Sequence, residues 1–255
     1  MIDIHSHILS ETDDGAVSLE ESVQMCQTSA EDGVEVMVAT PHCFDDVHKT
    51  HDVEVLEGKV AELNQRLSGR PKVILGCELR FNHDVVNQVC GKKTAPTIGG
   101  GPYVLLEFPH SMVPVGTERV LFELMGNGVT PIIAHPERNR LLMTEPARFH
   151  ALVEMGALGQ LDSGSMLGQF GTSVKKAARV MLEGNLIHFI GSDCHNMRKR
   201  LPGLSAALTE VAAIAGQEVA HRISTDNPAA VVDGQPLPWR PAPELPAKKR
   251  WFFLR

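Results

Sequence analysis

Eight residues that commonly bind metal ions stand at or just beyond the ends of short apolar runs in the sequence. They are His5, His7, His42, Glu78, Glu107, His135, Asp193 and His195. Neutral imidazole suits zinc, iron and manganese, whereas carboxylates bridge pairs of ions and favour the harder ones. Because five imidazoles and three carboxylates exceed what one ion requires, the pattern predicts two or three divalent ions.

The spacing within two pairs of these residues has a structural reason. Residues two apart in a strand point to the same side. His5 with His7, and Asp193 with His195, can therefore each present two ligands to one cavity. The residue between the members of each pair is expected to face away.

Acidic and basic residues lie beside these ligands. The loop after the first histidine pair contains Asp13 and Asp14, and which of the two reaches the metal or the substrate stays open. Arg138 lies in the segment HPER, and Arg198 and Arg200 lie in the segment HNMRKR. Guanidinium groups bind phosphate in a forked geometry. Arginines gathered beside candidate metal ligands in an acidic chain indicate a phosphoryl substrate.

Seven apolar, β-branched runs predict the buried strands that must position these residues. The runs span 2–8, 34–40, 73–77, 103–108, 131–134, 157–161 and 188–191. Stretches with helical periodicity separate them, so the pattern predicts an α/β fold, either a parallel barrel or an open doubly wound sheet. The carboxyl ends of parallel strands lie on one face, and the candidate ligands are expected to converge there.

Start and stop signals place several helices between these runs. Ser18 with Glu21 forms a capping box. Thr117 is expected to cap the helix that follows it. Pro146 opens another helix that Gly156 closes, which follows the usual preference for proline at the start and glycine at the end.

Composition narrows the class of protein. The 255 residues carry a formal net charge of -7, which argues against nucleic acid as the main partner. Five cysteines at irregular spacing, with no CxxC pair, make a disulfide framework unexpected. The start MIDIHSH lacks the pattern of a secretion signal, and no window approaches the length of a membrane span, so we expect a cytoplasmic protein.

The C-terminal segment differs in composition from the rest. Residues 233–255 are rich in proline and end in a basic and aromatic cluster, KKRWFFLR. We expect residues 1–232 to form the barrel and residues 233–255 to form an extended tail that packs over it. A peripheral contact of this tail with a membrane surface or a partner is the alternative.

The motifs together resemble the polymerase and histidinol phosphatase (PHP) superfamily, and most closely its capsule-type bacterial tyrosine phosphatases of the CpsB/CapC or YwqE type. The segments that carry the resemblance are HSHILSETDDGA, TPH at 40–42, GCELRF at 76–81, LLEFP at 105–109, AHPERNR at 134–140 and GSDCHNMRKR at 191–200. The resemblance implies a distorted seven-stranded (β/α) barrel of the TIM-like PHP type. It implies a metal-dependent protein-tyrosine phosphatase whose substrate is a bacterial tyrosine kinase of capsule or exopolysaccharide synthesis.

The resemblance also implies a ligand set. One ion is expected between His5, His7, Glu78 and Asp193; a second between Glu78, Glu107 and His135; a third at His42 and His195. Manganese is the expected metal, with iron or zinc as alternatives. Asp13 stands where the superfamily often has a third histidine, so it joins the candidate ligands.

The resemblance assigns the remaining site residues too. Arg138 and Arg200 resemble the phosphate-binding arginines of the family, and Asp14 or His42 is the candidate proton donor. The expected mechanism is in-line attack by a hydroxide shared between two ions. Ser10 and Glu11 depart from the proline and glycine that the family usually has in this loop.

Four alternatives remain open from the sequence. Cys194 and Arg200 have the C-x5-R spacing of cysteine-dependent phosphatases, although the segment between them lacks glycine. An amidohydrolase-type deacetylase would use a modified lysine where this chain has Glu107. A phosphatase of a small phosphomonoester such as histidinol phosphate would need the same metals. A metal-bound protein that docks on a kinase without turnover would require an incomplete ligand set.

Overall fold

Parallel strands alternate with helices along the chain. The computed structural model describes residues 1–45, 47–48 and 50–245. The strands are Ile2–Ser6 (β1), Val36–Ala39 (β2), His42–Cys43 (β3), Lys72–Leu75 (β4), Glu78–Arg80 (β5), Tyr103–Glu107 (β6), Thr130–Ala134 (β7), Leu158–Asp162 (β8) and Phe189–Gly191 (β9). The helices are Leu19–Glu31 (α1), Val53–Leu67 (α2), Thr117–Gly126 (α3), Arg140–Thr144 (α4), Pro146–Met155 (α5), Ser163–Leu167 (α6), Thr172–Glu183 (α7), Ser205–Ala215 (α8), Gln217–His221 (α9) and Asn227–Val232 (α10). Short 3-10 turns span Ile98–Gly100 and Pro136–Arg138, and π-helical turns span Asn87–Gly91 and Arg222–Asp226.

Each of the seven predicted apolar runs coincides with a strand. The two further strands, β3 and β5, resume the course of β2 and β4 after a short break. Pro41 lies in the first break and has no N–H to donate to a neighbouring strand. Gly76 lies in the second, where a Cβ would come within 2.9 Å of Val38 Cγ1. The breaks bring His42 and Glu78 to the beginning of β3 and β5.

The strands form two parallel sheets that meet at one edge. The orders are β1-β2-β4 and β3-β5-β6-β7-β8-β9, and every neighbouring pair is parallel. A parallel bridge joins Ser6 to Cys194, and His7 N donates to Cys194 O at 2.9 Å. The predicted α/β class with parallel strands is confirmed, and the bridge places the ends of β1 and β9 side by side.

Alternate residues of the strands pack into two separate apolar clusters. The inner cluster contains Leu105 together with Ile4, Val38, Ile132 and Phe189. The outer cluster lies against the helices, and it contains the neighbours of Leu105 in β6, which are Val104 and Leu106. Because successive residues of a strand face opposite sides, this alternation shows which side chains point inward. Glu107 lies two residues after Leu105 in β6, so its side chain is expected to face inward as well.

The helix starts agree with two of the three predicted signals. The Ser18 hydroxyl accepts a hydrogen bond from Glu21 N at the start of α1, as the capping box predicts. Pro146 begins α5 and Gly156 ends it. The prediction for Thr117 is wrong by one position. Gly116 caps α3 in a left-handed conformation, and the Thr117 hydroxyl donates instead to Pro114 O.

The proline-rich segment crosses the side of the sheets opposite the carboxyl ends. Tyr103 Oη donates to Gln235 O at 2.7 Å, Asn227 binds both backbone polar groups of Trp239, and Glu244 N donates to Gly184 O at 2.8 Å. The basic and aromatic cluster predicted to end the tail lies outside the described residues. Among the described residues, no helix has both the length and the apolar character that crossing a membrane requires.

Candidate metal centre

The first predicted ligand group converges at the carboxyl ends of the strands. His5 Nε2 lies 3.4 Å from Glu78 Oε2 and 3.3 Å from Asp193 Oδ1, and His7 Nε2 lies 3.3 Å from each of the same two oxygens. All four side chains are almost completely buried. Contacts of this length are the edges of a tetrahedron whose corners lie about 2.0 Å from its centre, the usual distance from nitrogen or oxygen to zinc.

An irregularity near the beginning of β1 turns the His5 side chain toward this group. The pairing of β1 with β2 changes register between Asp3 and Ser6. Ile4 and His5 consequently both face inward: Ile4 belongs to the inner cluster, and His5 Nδ1 lies 2.8 Å from Gln160 Oε1. Asp3 Oδ1 accepts the backbone N–H of His5 at 3.2 Å and supports the irregular segment.

Glu78 connects the first group to a second one. Its Oε2 faces the first group and lies 3.2 Å from His42 Nδ1, while its Oε1 lies 2.8 Å from His135 Nε2. Ligand atoms of His42, Glu78 and Glu107 lie within 4.8 Å of one another. His42, which the resemblance assigns to the third ion, also approaches this group, and His135 contacts the other oxygen of Glu78. The Glu78 carboxylate has the geometry of a bridging ligand.

A third group lies on the more open side. Ligand atoms of His7, Asp14, His42 and His195 lie within 4.8 Å of one another. Asp14 Oδ1 is 3.2 Å from His195 Nε2 and 3.6 Å from His42 Nε2. Asp14 is 48% exposed, so this group faces solvent.

The two neighbouring aspartates differ in what they contact. Asp13 Oδ2 lies 2.7 Å from His7 Nδ1, on the ring edge away from the centre, and accepts His42 N at 2.9 Å. Gln160 holds Nδ1 of His5 in the same manner. Such contacts orient an imidazole so that Nε2 points to a metal ion. Asp13 therefore supports His7 from behind, whereas Asp14 faces the third group.

The electrostatics of the centre fit a divalent cation. Burial alone would raise the pKa of Glu78, but the neighbouring histidines, His5 first, hold it well below its usual range. Burial lowers the pKa of His5, yet Glu78 and Asp193 raise it to about 9. Asp193 Oδ1 and His42 Nδ1 are buried and find no hydrogen-bond partner among the described residues. Buried polar atoms of this kind normally have a partner, and the donor set fits divalent ions.

Both predicted phosphate-binding arginines border the centre. Arg138 Nη1 donates to Asp193 Oδ2 at 2.6 Å, and Arg200 Nη2 donates to the same oxygen. Arg200 Nη1 also lies 2.7 Å from His195 Nε2. Asp193 therefore presents one oxygen to the histidines and the other to the arginines. Arg198 is exposed and makes none of these contacts.

Several residues of the centre were not predicted. Arg80 Nη1 donates to Glu107 Oε2 at 2.6 Å, and Asp162 Oδ2 accepts Arg138 Nη1 at 3.2 Å. The His48 ring stacks on His42 with centroids 5.2 Å apart. Asp162 directly follows the predicted strand 157–161, so the same signal that identified the other ligands was present for it. The Arg80–Glu107 contact follows from the pairing of β5 with β6, whereas the His48 contact depends on a loop whose course the sequence does not reveal.

Cys194 lies outside the centre. It is completely buried in the outer cluster, while Ser6, its bridge partner, donates its hydroxyl to Val38 O. Both residues face away from the ligands, as the spacing predicts. Burial raises the pKa of the Cys194 thiol far above its usual range. A thiolate nucleophile at this position is incompatible with these surroundings.

Left-handed backbone occurs at two of the candidate ligands and in the adjoining loop. His135 has φ 31°, Asp193 has φ 49° and Glu11 has φ 56°. Residues other than glycine rarely adopt such angles, and they cluster at functional sites. Glu11 occupies the position where the resembled family usually has glycine, which explains that preference.

Comparisons with known proteins identify relatives that are similar to this chain over nearly its whole length. The family model for capsular polysaccharide synthesis, CpsB/CapC, matches residues 1–233. The tyrosine-protein phosphatase YwqE of Bacillus subtilis is 36% identical over 99% of both chains, and the tyrosine-protein phosphatase CpsB of Streptococcus pneumoniae is 31% identical over 92% of this chain and 99% of its own.

Solved structures give the same relationship. A crystal structure from work on YwqE and CpsB, described as unique metal-dependent tyrosine phosphatases, superposes with a TM-score of 0.91 at 34% identity, covering 98% of this chain and all of the other. The phosphotriesterase of Mycobacterium tuberculosis shares the fold alone, with a TM-score of 0.55 at 9% identity over 91% of this chain and 93% of its own. The chain belongs to the CpsB/CapC family of capsular polysaccharide synthesis proteins.

Proposed function

We propose that this protein is a metal-dependent phosphatase that hydrolyses phosphotyrosine on other proteins. The observation that carries the proposal is the buried centre of histidines and carboxylates with two arginines at its edge, in a chain that is similar to YwqE over nearly its whole length. Of the alternatives, hydrolysis of a small phosphomonoester shares the centre, but the named relatives are tyrosine-protein phosphatases.

The proposed ligands of two or three divalent ions are the eight residues predicted from the strand ends together with Asp14. His5, His7, Glu78 and Asp193 would hold the first ion; His42, Glu78 and Glu107, with His135 beside them, the second; and Asp14, His42 and His195 the third. Distances within each group and the orphaned Asp193 Oδ1 support this assignment. The contacts of Asp13 favour a role in orienting His7. The mixed nitrogen and oxygen donors suit manganese, and also iron or zinc.

Divalent ions bound there would activate water and neutralise charge on the phosphoryl oxygens. The protein's own contribution is positioning. Arg138 and Arg200 lie where they can bind phosphoryl oxygens beside Asp193, and their charges would stabilise the charge that develops in the transition state. Phenolate is a good leaving group, so the reaction makes little demand on a proton donor such as Asp14 or His42.

The substrate tyrosine must lie on another chain. The only tyrosine of this protein, Tyr103, is 5% exposed, and its hydroxyl donates to Gln235 O. We propose a bacterial tyrosine kinase of capsule or exopolysaccharide synthesis as the substrate, acting in the cytoplasm. The family's link to capsular polysaccharide synthesis supports this choice.

We also propose that residues 1–232 form the catalytic unit and residues 233–255 an accessory tail. The family model ends at residue 233, and the described tail contacts the sheets only opposite the centre. A chain shortened after residue 245 is therefore expected to keep full activity on a small aryl phosphate.

Competition between substrates tests the proposed function. Metal-loaded protein is assayed on a phosphotyrosine peptide, the matching phosphoserine peptide and histidinol phosphate. The proposal expects the highest kcat/KM on the phosphotyrosine peptide. A clear preference for histidinol phosphate would assign the protein to small-metabolite phosphatases instead.

A further inference from the structure

Asp162 ends β8, a strand that supplies none of the predicted metal ligands. Its side chain is 2% exposed and lies on the same face as the centre. An acidic group buried this completely is costly unless its oxygens have partners. The identity of those partners therefore indicates what the residue does.

The two carboxyl oxygens of Asp162 have separate partners. Oδ1 accepts Gly164 N at 2.7 Å and caps α6. Oδ2 accepts Arg138 Nη1 at 3.2 Å. The backbone N–H of Asp162 donates to Oε1 of the buried Glu137 at 3.1 Å, which ties the end of β8 to the turn that carries Arg138.

An aromatic ring holds the other side of the same guanidinium group. Arg138 Cζ lies 4.4 Å from the centroid of the Phe170 ring, a cation–π distance. With Asp193 as third neighbour, Arg138 is only 15% exposed. A free arginine side chain samples many rotamers, and fixing one of them before the ligand arrives improves binding.

We propose that Asp162 and Phe170 are positioning residues that hold Arg138 in the orientation that receives the phosphoryl group. The inference rests on the proposed function, since it assigns the role of phosphate binding to Arg138. The hydrogen bond from Arg138 needs only an acceptor oxygen, which a carboxyl group offers in either protonation state. Burial raises the pKa of Asp162 to about 8, so near neutral pH the hydrogen bond has to form with either protonation state of the carboxyl group.

Asp162→Asn is a sharp test because asparagine has one acceptor oxygen instead of two. Asparagine is a good N-cap, so the oxygen is expected to stay on Gly164 N and α6 to remain folded. The amide NH2 then faces Arg138 Nη1, donor against donor, and displaces the guanidinium. We expect the KM for p-nitrophenyl phosphate and the Kd for inorganic phosphate to rise about tenfold, with kcat changed much less.

Two further variants keep the test decisive. Phe170→Leu retains apolar volume without the ring face and is expected to weaken phosphate binding about threefold. Asp32→Asn is the matched control, because Asp32 also caps a helix start, through Leu204 N and Ser205 N, and no arginine in the described part of the chain pairs with it. Its phosphate affinity is expected to equal that of the wild type. Unchanged phosphate affinity in both Asp162→Asn and Phe170→Leu would overturn the proposal.

A double-mutant cycle tests whether Asp162 affects phosphate binding through Arg138. In an Arg138→Ala background, Asp162→Asn is expected to have almost no further effect on phosphate affinity. A full tenfold loss in that background would show that Asp162 acts through another group, contrary to the proposal. Titration calorimetry of phosphate on metal-loaded protein needs no turnover, so it decides the role of Asp162 even if the protein fails to hydrolyse phosphotyrosine.

Discussion

Asp193 N donates a hydrogen bond to His5 O at 2.9 Å, and the side chains of the same two residues approach to 3.3 Å. A ligand beside the first strand and one beside the last strand thus meet where β9 lies beside β1. The contact joins them in one buried group. Asp193 also accepts from both arginines, so it connects the metal ligands to the phosphate-binding side.

Asp193→Asn is therefore expected to lower kcat/KM on an aryl phosphate by about 100-fold or more, because it removes a ligand charge and the partner of two arginines. Metal content measured by mass spectrometry on the purified variant is expected to fall as well. Asp226→Asn, which changes a carboxylate paired with Arg222 and outside the candidate ligand groups, is the control. Wild-type activity and metal content in Asp193→Asn would exclude its role as ligand.

Cys194→Ser separates metal-dependent catalysis from thiolate catalysis. The buried thiol faces the outer cluster, so we expect kcat to stay within about threefold of wild type, apart from a modest loss of stability. Circular dichroism confirms that the variant is folded. Loss of nearly all activity in a folded variant would instead support a covalent phosphocysteine route.

Arg138→Lys and Arg200→Lys are each expected to reduce kcat/KM about tenfold to a hundredfold, since lysine retains the charge but loses the forked donor geometry. Arg198→Lys is the matched control in the same loop as Arg200, and it is expected to have no measurable effect. Steady-state kinetics on p-nitrophenyl phosphate checks all three. Equal effects at positions 198 and 200 would contradict the assignment.

The stability of metal-stripped protein is expected to depend on pH through Glu137. Burial raises the pKa of Glu137 from 4.5 to about 7, so the folded state favours the protonated carboxyl group. The stabilisation that protonated Glu137 gives is complete below the pKa that this group has in the unfolded protein. It is lost as the pH rises from about 4.5 through 7. Glu137→Gln removes this titration, so the fall in unfolding free energy between pH 5 and 8 is expected to shrink by about 1–3 kcal/mol.

Urea denaturation at several pH values measures this difference. Glu183→Gln, an exposed carboxylate in α7, is the control and is expected to leave the pH dependence unchanged. Identical slopes for wild type and Glu137→Gln would show that Glu137 titrates normally in the folded protein.

The positions of the strands along the chain and the location of the centre were predictable because both follow from periodicity, whereas the order of the strands in the sheets was not. Apolar runs that alternate with helical stretches predict parallel strands. Ligands at the ends of those strands then meet on one face. The two-residue spacing of His5 and His7 predicts that His5 faces inward, but spacing is only part of the cause. The pairing of β1 shifts register after Asp3, and a register shift depends on contacts with β2 and β9 that spacing does not reveal.

The roles of Asp13 and Asp14 depend on the turn between them. Gly15 N donates to Asp13 Oδ1, and this turn directs Asp13 behind His7 and Asp14 toward His195. Two adjacent aspartates give the same sequence signal whichever way the turn runs. The contact of Asp162 with Arg138 was likewise unpredictable in detail, because it joins the ends of two strands through a short 3-10 turn.

We propose that divalent ions held by the strand-end residues are required for hydrolysis of phosphotyrosine. The most direct measurement records metal content and turnover of a phosphotyrosine peptide on one sample, before chelation, after chelation and during stepwise reloading with Mn²⁺. We expect activity to disappear with the metal and to return as two or three equivalents bind. Full activity in metal-stripped protein would contradict the claim.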